Sequence, residues 1–168
     1  MMNPKSMEEA DAFMEFISKG TNLISEDMHF NIGGDHEFTF SVEGWPDLFI
    51  IYPYIISCMP ECLKGKWKFF PFNPGKVGSF AYRVHDTDVD MGKIMVKASY
   101  DEKRENFNIR YYDKNLCALP EENSDGNFHV ILELVLGEGV SFKYVNGIER
   151  ASGIEEDMIA LSGLRQHI

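Results

Sequence analysis

Phe128, Ile131, Leu132, Val135 and Leu136 fall at i, i+3, i+4, i+7 and i+8, and of the regular conformations only an α-helix gathers those five side chains onto one side. Gly137 follows as a natural stop. Ser124 or Asp125 stands ahead of the run, where a short polar side chain accepts backbone N–H groups as a cap. A helix with one apolar side requires a second layer to cover it, and the rest of the chain offers strands. Phe38, Phe40 and Val42 alternate with Thr39, Ser41 and Glu43, the period of a half-buried strand. Further strands are predicted at Trp67 to Phe72, Ser79 to Val84, Lys93 to Tyr100 and Phe107 to Tyr112. The last two flank Asp101 to Asn106, a polar hairpin-like loop.

Two more helices are expected. Residues 4–19 begin with Asn3 and Pro4, carry Glu8, Glu9 and Asp11 early, and repeat Met7, Ala10, Met14 and Ile17 at helical spacing, with Gly20 as the stop. Leu48, Tyr52, Ile55, Ile56 and Met59 keep the same spacing behind Pro46 and Asp47. Pro53 conflicts with that helix, at about 3 kcal/mol in a helix interior, so a buried strand over Leu48 to Ile51 is the rival. Asn31 to Asp35 read as a turn, and Val140, Phe142 and Tyr144 as a strand. Beyond them, Asn146-Gly147 allows either a tight hairpin or a bulge in a longer strand.

The predicted fold is α+β: a mainly antiparallel sheet, the Leu48 and Phe128 helices on one of its faces, and an additional N-terminal helix. Residues 1–36 are expected to form that helix and a connecting segment, and residues 37–168 a single α+β domain. With 44% hydrophobic and 13% aromatic residues the chain has material for a core and lacks the composition of a disordered protein.

Several landmarks recur together: the phenylalanine-alternating strand, Gly-x-Pro-Asp-Leu-Phe at Gly44 to Phe49, Pro60, the strand starting at Trp67, the apolar helix ending in Leu136-Gly137-Glu138, and Ile159-Ala160-Leu161-Ser162-Gly163-Leu164. In this order they resemble a group of small, largely uncharacterised bacterial cytosolic α+β proteins, over roughly residues 37–165. The resemblance implies a fold and carries no functional residue with it.

Charge narrows the function classes. The chain has 27 Asp and Glu against 16 Lys and Arg, a formal charge of −11. Nucleic-acid affinity rests on cations that neutralise phosphates, so no nucleic-acid partner is expected. The one basic and aromatic interleaving, Lys64, Lys66 and Lys68 with Trp67, Phe69 and Phe70, reads as a strand with one buried face. Besides Glu8, Glu9 and Asp11, the carboxylates cluster at Asp86, Asp88 and Asp90, at Glu121, Glu122 and Asp125, and at Glu155, Glu156 and Asp157. Those last nine are the candidate interaction surface, because converging carboxylates steer a basic protein toward themselves.

Catalytic and metal motifs are incomplete. Asp86, Asp88 and Asp90 alternate as in a calcium loop, but the sixth position is Met91 where glycine is required, and the twelfth is Lys97 where a bidentate Glu belongs. Cys58 and Cys62 are four apart, a spacing that one helix would bring to one face, yet zinc needs two such clusters, and His29, His36, His85, His129 and His167 show no H-x-x-x-H spacing. With Cys117 the cysteine count is odd and fits free thiols in a reducing compartment. His129 reads as a histidine at a core edge, and no G-x-S-x-G or phosphate-binding glycine motif occurs. The longest apolar run, Leu48 to Met59, contains Pro53 and falls short of the roughly 20 residues a bilayer span needs. The expectation is a non-catalytic cytoplasmic protein-interaction protein with no cofactor and no membrane partner: an acidic inhibitor or immunity factor for a basic partner such as a nuclease toxin. The alternatives are a small metal-assisted hydrolase built on Asp86, Asp88, Asp90 and a histidine, or a small-ligand sensor domain.

Overall fold

An aromatic stack organises the first part of the chain. The computed structural model describes residues 15, 18–22, 28–33, 36–76, 78, 81–84 and 87–168, and it divides into two compact units, Met1–Pro71 and Phe72–Ile168. Most of the helix expected over residues 4–19 lies outside the described residues. Its described end, residues 18–22, is helical through Gly20, since glycine weakens a helix without forbidding it.

In the first unit, β1 (His29–Gly33) pairs antiparallel with β2 (Glu37–Ser41), and β3 (Lys68–Phe70) pairs parallel with β2. Asn31 to Gly33 therefore belong to a strand, paired with Thr39 to Glu37. The expected alternation in β2 holds, with Phe38 and Phe40 buried. Phe38 stacks on Phe30 at 5.1 Å and meets Phe69 at 5.9 Å. Phe40 stacks on Tyr52 at 4.6 Å, and the Tyr52 hydroxyl donates to the Ser41 carbonyl at 3.2 Å. This contact seats α1 (Leu48–Ser57) on the sheet. The helix prevails over the rival strand despite Pro53, which sits on its exposed side, because burial of Leu48 and Tyr52 at i and i+4 outweighs the local penalty. Pro60 ends the segment before a short α2 (Glu61–Lys64).

The second unit has a two-stranded ribbon, β4 (Ala81–Val84) against β5 (Thr87–Asp90), and a four-stranded sheet. The sheet comprises β6 (Met95–Asp101), β7 (Asn106–Tyr112), β8 (Val145–Arg150) and β9 (Ile159–Ala160), in the order β8-β7-β6-β9. β6 pairs antiparallel with β7 and β9, whereas β8 runs parallel to β7. Both larger sheets are thus mixed. The Leu48 and Phe128 helices, expected on one face of one sheet, belong to different units.

The Phe128 helix is α3 (Glu121–Leu136). Its Phe128, Ile131, Leu132, Val135 and Leu136 are all buried, in one cluster with Val96, Ile109, Tyr111, Leu161 and Leu164. The helix starts earlier than expected, with Pro120 as its N-cap residue. Glu121 and Glu122 occupy the first turn, where the helix dipole favours anions. Ser124 and Asp125 are thereby released from capping and turn toward β7, where the Tyr111 hydroxyl lies 2.7 Å from Ser124 Oγ and donates to Asp125 Oδ1 at 2.6 Å. The Tyr111 ring stacks on Phe128 with centroids 3.9 Å apart.

Gly137 ends α3 at φ 90°, and α4 (Glu138–Tyr144) follows at once. The strand expected from Val140, Phe142 and Tyr144 is therefore a helix. Its inward side is marked by Glu138 and Ser141, three apart and both buried, a helical signal carried by polar residues that an apolar pattern does not register. Asn73 N–H donates to Glu138 Oε2 at 3.0 Å, and Glu138 N–H returns a bond to the Asn73 carbonyl at 3.0 Å. Asn146-Gly147 makes no hairpin; the β7–β8 register shifts between Phe107 and Asn108, which face Val145 and Gly147. That leaves Asn146 as the extra residue of a bulge.

Two outcomes are expected. A Cβ on Gly137 would stand 2.8 Å from the Asn73 carbonyl oxygen and 2.8 Å from the Pro74 carbonyl carbon, backbone that cannot swing aside. Gly137→Ala should therefore destabilise by about 3 kcal/mol from left-handed strain plus overpacking, read as a lower urea midpoint at unchanged m-value. Burial, reinforced by the Asp125 hydrogen bond, pushes the Tyr111 phenol above its ordinary value of 10.0. A phenol harder to ionise when folded contributes stability that is full below pH 10 and is lost as pH rises beyond it. Tyr111→Phe should cost about 1–3 kcal/mol near neutrality, and it should flatten the alkaline decline of the urea midpoint.

Candidate functional site

Of the nine candidate acidic residues, Asp86 lies outside the described residues. Asp88 and Asp90 stand on β5, a strand of the two-stranded ribbon. Arg83, across the ribbon, grips Asp88 with two bonds, Nε to Oδ1 at 2.9 Å and Nη2 to Oδ2 at 3.3 Å. The pairing holds the Asp88 carboxyl below its usual range and the guanidinium above its own. Asp90 accepts the Gly92 N–H at 2.9 Å and lies 3.6 Å from Lys93. Between them Val89 is buried, as is Met91 beyond. These two carboxylates shape a turn and a ribbon, and among the described residues no three His, Cys, Asp or Glu side chains gather where they would hold a metal ion.

The second cluster divides. Glu121 and Glu122 project from the first turn of α3, exposed, with Glu121 3.9 Å from Arg150. Asp125 turns inward to Tyr111. The third cluster meets the sheet. Arg110 on β7 reaches Glu155 at 2.9 Å and Glu149 of β8 at 3.5 Å. Its register partner on β6, Lys97, lies 3.9 Å from Asp157. Glu155 and Asp157 are thus brought to neighbouring cations on one face of the sheet. Arg110 Nε is buried without a hydrogen-bond partner, so the guanidinium is held from its outer nitrogens alone. Glu156 faces solvent.

Other candidates take structural roles. Cys58 and Cys62 are exposed and separated by Pro60, which places one at the C-cap of α1 and the other within α2 instead of on one helix. Lys64 pairs with Glu61 at 3.0 Å and Lys68 with Glu37 at 3.1 Å, while Trp67 meets His36 edge-on at 5.4 Å. His129 lies 3.3 Å from Glu133 one turn on along α3, and that hydrogen bond raises its pKa.

One surface escaped the sequence reading. The stripe Leu48, Tyr52, Ile55, Ile56 and Met59 accounts for one side of α1 only, and the opposite side is also apolar. Ile50 is 78% exposed, Tyr54 70% and Ile51 39%, with Trp45 ahead of the helix at 56%. The available signal was the absence of any charge from Leu48 to Ser57, since an exposed helix side ordinarily carries several.

The Arg110 cluster yields a measurable expectation. Because the pair is partly exposed, a double-mutant cycle of Arg110→Gln and Glu155→Gln in urea unfolding should give a coupling of about 0.5–1 kcal/mol, shrinking in high salt.

No helix among the described residues is long and apolar enough to cross a membrane. Comparison with known proteins finds no family model, no curated protein and no solved structure that matches the chain.

Proposed function

We propose that this chain is a non-catalytic cytosolic protein-interaction protein, an acidic inhibitor or immunity factor that covers the basic surface of a partner such as a nuclease. The likeness to small bacterial cytosolic α+β proteins belongs to the same proposal.

One observation carries the reading: eight of the fifteen Lys and Arg among the described residues lie against the chain's own carboxylates, while several carboxylates face water outside any such pair. Lys19, Lys64, Lys68, Arg83, Lys93, Lys97, Arg110 and Arg150 each lie within 4.0 Å of an Asp or Glu oxygen. Asp47, Glu102, Glu105, Glu122 and Glu156 are exposed and join no such pair among the described residues. Internal pairing cancels part of the positive field, and the formal charge of −11 leaves a net negative one, which accelerates docking of a basic surface and disfavours nucleic acid.

A partner held this way should respond to ionic strength. Affinity capture from a native lysate should retain a basic protein in low salt and release it near 1 M salt, where the screening length falls to about 3 Å. No retained protein, or retention indifferent to salt, overturns the reading.

A further inference from the structure

β9 covers only the beginning of the strand beside it. β6 runs from Met95 to Asp101, and β9 pairs with Met95 and Val96 alone. Ahead of β9 the chain bends at Asp157, whose φ is 67°, and does not continue the ladder. Hydrogen bonds on the two sides of the β6–β7 pair show which backbone groups this leaves. The Ile94 carbonyl accepts the Leu161 N–H at 2.8 Å, and the Tyr111 carbonyl accepts the Ala151 N–H at 2.8 Å. Successive residues of an antiparallel strand point their N–H and C=O to opposite sides, and Val96 faces Tyr111 in register. Counting on from Ile94, therefore, Val96, Ala98 and Tyr100 direct both groups away from β7, whereas Lys97, Ser99 and Asp101 direct theirs to it. Ile159 takes up Val96. Among the described residues no strand takes up Ala98 or Tyr100.

An open strand edge is a template for another strand. At the opposite edge of this sheet β8 is interrupted by the Asn146 bulge, a device that blunts an edge. β6 pairs with β7 without a register shift, Ser99 is exposed, and Tyr100 is 55% exposed.

The order of residues along the edge selects its occupant. An antiparallel second copy aligned on Ser99 sets Ala98 opposite Tyr100 and Lys97 opposite Asp101. No other antiparallel register joins all the free groups of Ala98 and Tyr100. A slip of two residues sends one of them against Val96, already held by Ile159, or against Glu102 in the turn. In the aligned register a small side chain meets a large one, and opposite charges meet at both ends, which stabilises directly opposed strand positions. A lysine on an edge ordinarily guards it, yet here it faces an aspartate. The formal charge of −11 opposes self-association. Along this edge it is cancelled locally, because Lys97, Lys103 and Arg104 stand beside Asp101, Glu102 and Glu105. Past Asp101 the hairpin turns back toward β7 and so away from the second copy.

We propose that β6 pairs edge to edge with β6 of a second copy, two-fold about Ser99, so that one sheet continues across a dimer. Such a pairing uses one patch against itself, as a two-fold interface requires. It does not depend on the binding of a basic partner, and neither outcome below bears on that reading. An edge this short buries less than the roughly 800 Å² per partner of a standard interface, so the dimer is weak and forms as concentration rises.

Amide hydrogen exchange followed by NMR on the parent chain gives the first test. In dilute solution the Ala98 and Tyr100 amides should exchange freely while those of Lys97 and Ser99 are protected by β7. Toward the highest soluble concentration, exchange at Ala98 and Tyr100 should slow by at least about tenfold, as sedimentation shows a dimer. Cross-linking gives the second. Directly opposed residues that share no hydrogen bonds have Cα atoms about 4.5 Å apart, within the reach of a disulfide. In a chain carrying Cys58→Ser and Cys62→Ser, which removes the exposed thiols, Ser99→Cys should become a linked dimer with glutathione disulfide as oxidant. Lys103→Cys, in the hairpin turn, should stay unlinked. Lys97→Glu sets a glutamate opposite Asp101, and it should abolish both the linking and the protection while circular dichroism matches the parent.

A chain that stays monomeric at every concentration, with Ala98 and Tyr100 exchanging freely, overturns the proposal and leaves the edge to an extended segment of another protein. Protection of those two amides independent of concentration overturns it too, by showing the edge covered within one chain. A dimer that forms equally in Lys97→Glu and leaves Ser99→Cys unlinked uses another surface, and sinks it likewise.

Discussion

The second unit depends on one buried joint between sheet and helix. Tyr111 is fully enclosed, its ring lies flat on Phe128, and its hydroxyl reaches Ser124 and Asp125 on the same helix. Apolar stacking holds α3 at the right distance, and the paired hydroxyl fixes its position along the sheet, because a displacement of one residue would leave a buried phenol without partners. The remaining core side chains of α3 inherit their places from that register.

A second constraint acts where α3 ends. Gly75 and Gly137 both have positive φ, and a Cβ on Gly75 would stand 2.6 Å from the Gly137 nitrogen, so two backbones meet where no side chain fits. Lys76 N–H donates to the Leu134 carbonyl at 2.7 Å, and Asn73 exchanges bonds with Glu138. The first satisfies a carbonyl in the last turn of α3, and the Glu138 N–H bond satisfies a donor at the start of α4. They also start α4 immediately, and the chain returns as β8 parallel to β7.

Acidic residues serve two purposes in this molecule. Asp125, Glu138 and Asp113 are held within the fold: Asp113 accepts the Asn115 and Leu116 N–H groups at 2.9 and 3.0 Å. Others, such as Asp88 and Glu155, hold neighbouring cations, and that pairing leaves the remaining carboxylates to set the external field. The proposed function uses only this remainder.

What the sequence determined by itself was wherever a period and a stop agree locally. Phe38 and Phe40 gave a strand with its buried face, Phe128 to Leu136 a helix with its buried side and its glycine end, and Asp101 to Asn106 a turn between two strands. Each follows from backbone geometry acting over a few residues. Tertiary contact decided the rest. Val140, Phe142 and Tyr144 alternate like a strand, yet Glu138 bonded to Asn73, 65 residues away, makes the segment helical. Ser124 and Asp125 suit a cap equally well, and only the presence of Tyr111 recruits them to the interior. The charge total was plain from composition, whereas which carboxylates remained free depended on cations such as Arg83, Arg110 and Arg150 that folding brought beside them. Local propensity operates within one element; partner choice, register and exposure are properties of two elements meeting, and a one-dimensional pattern does not contain them.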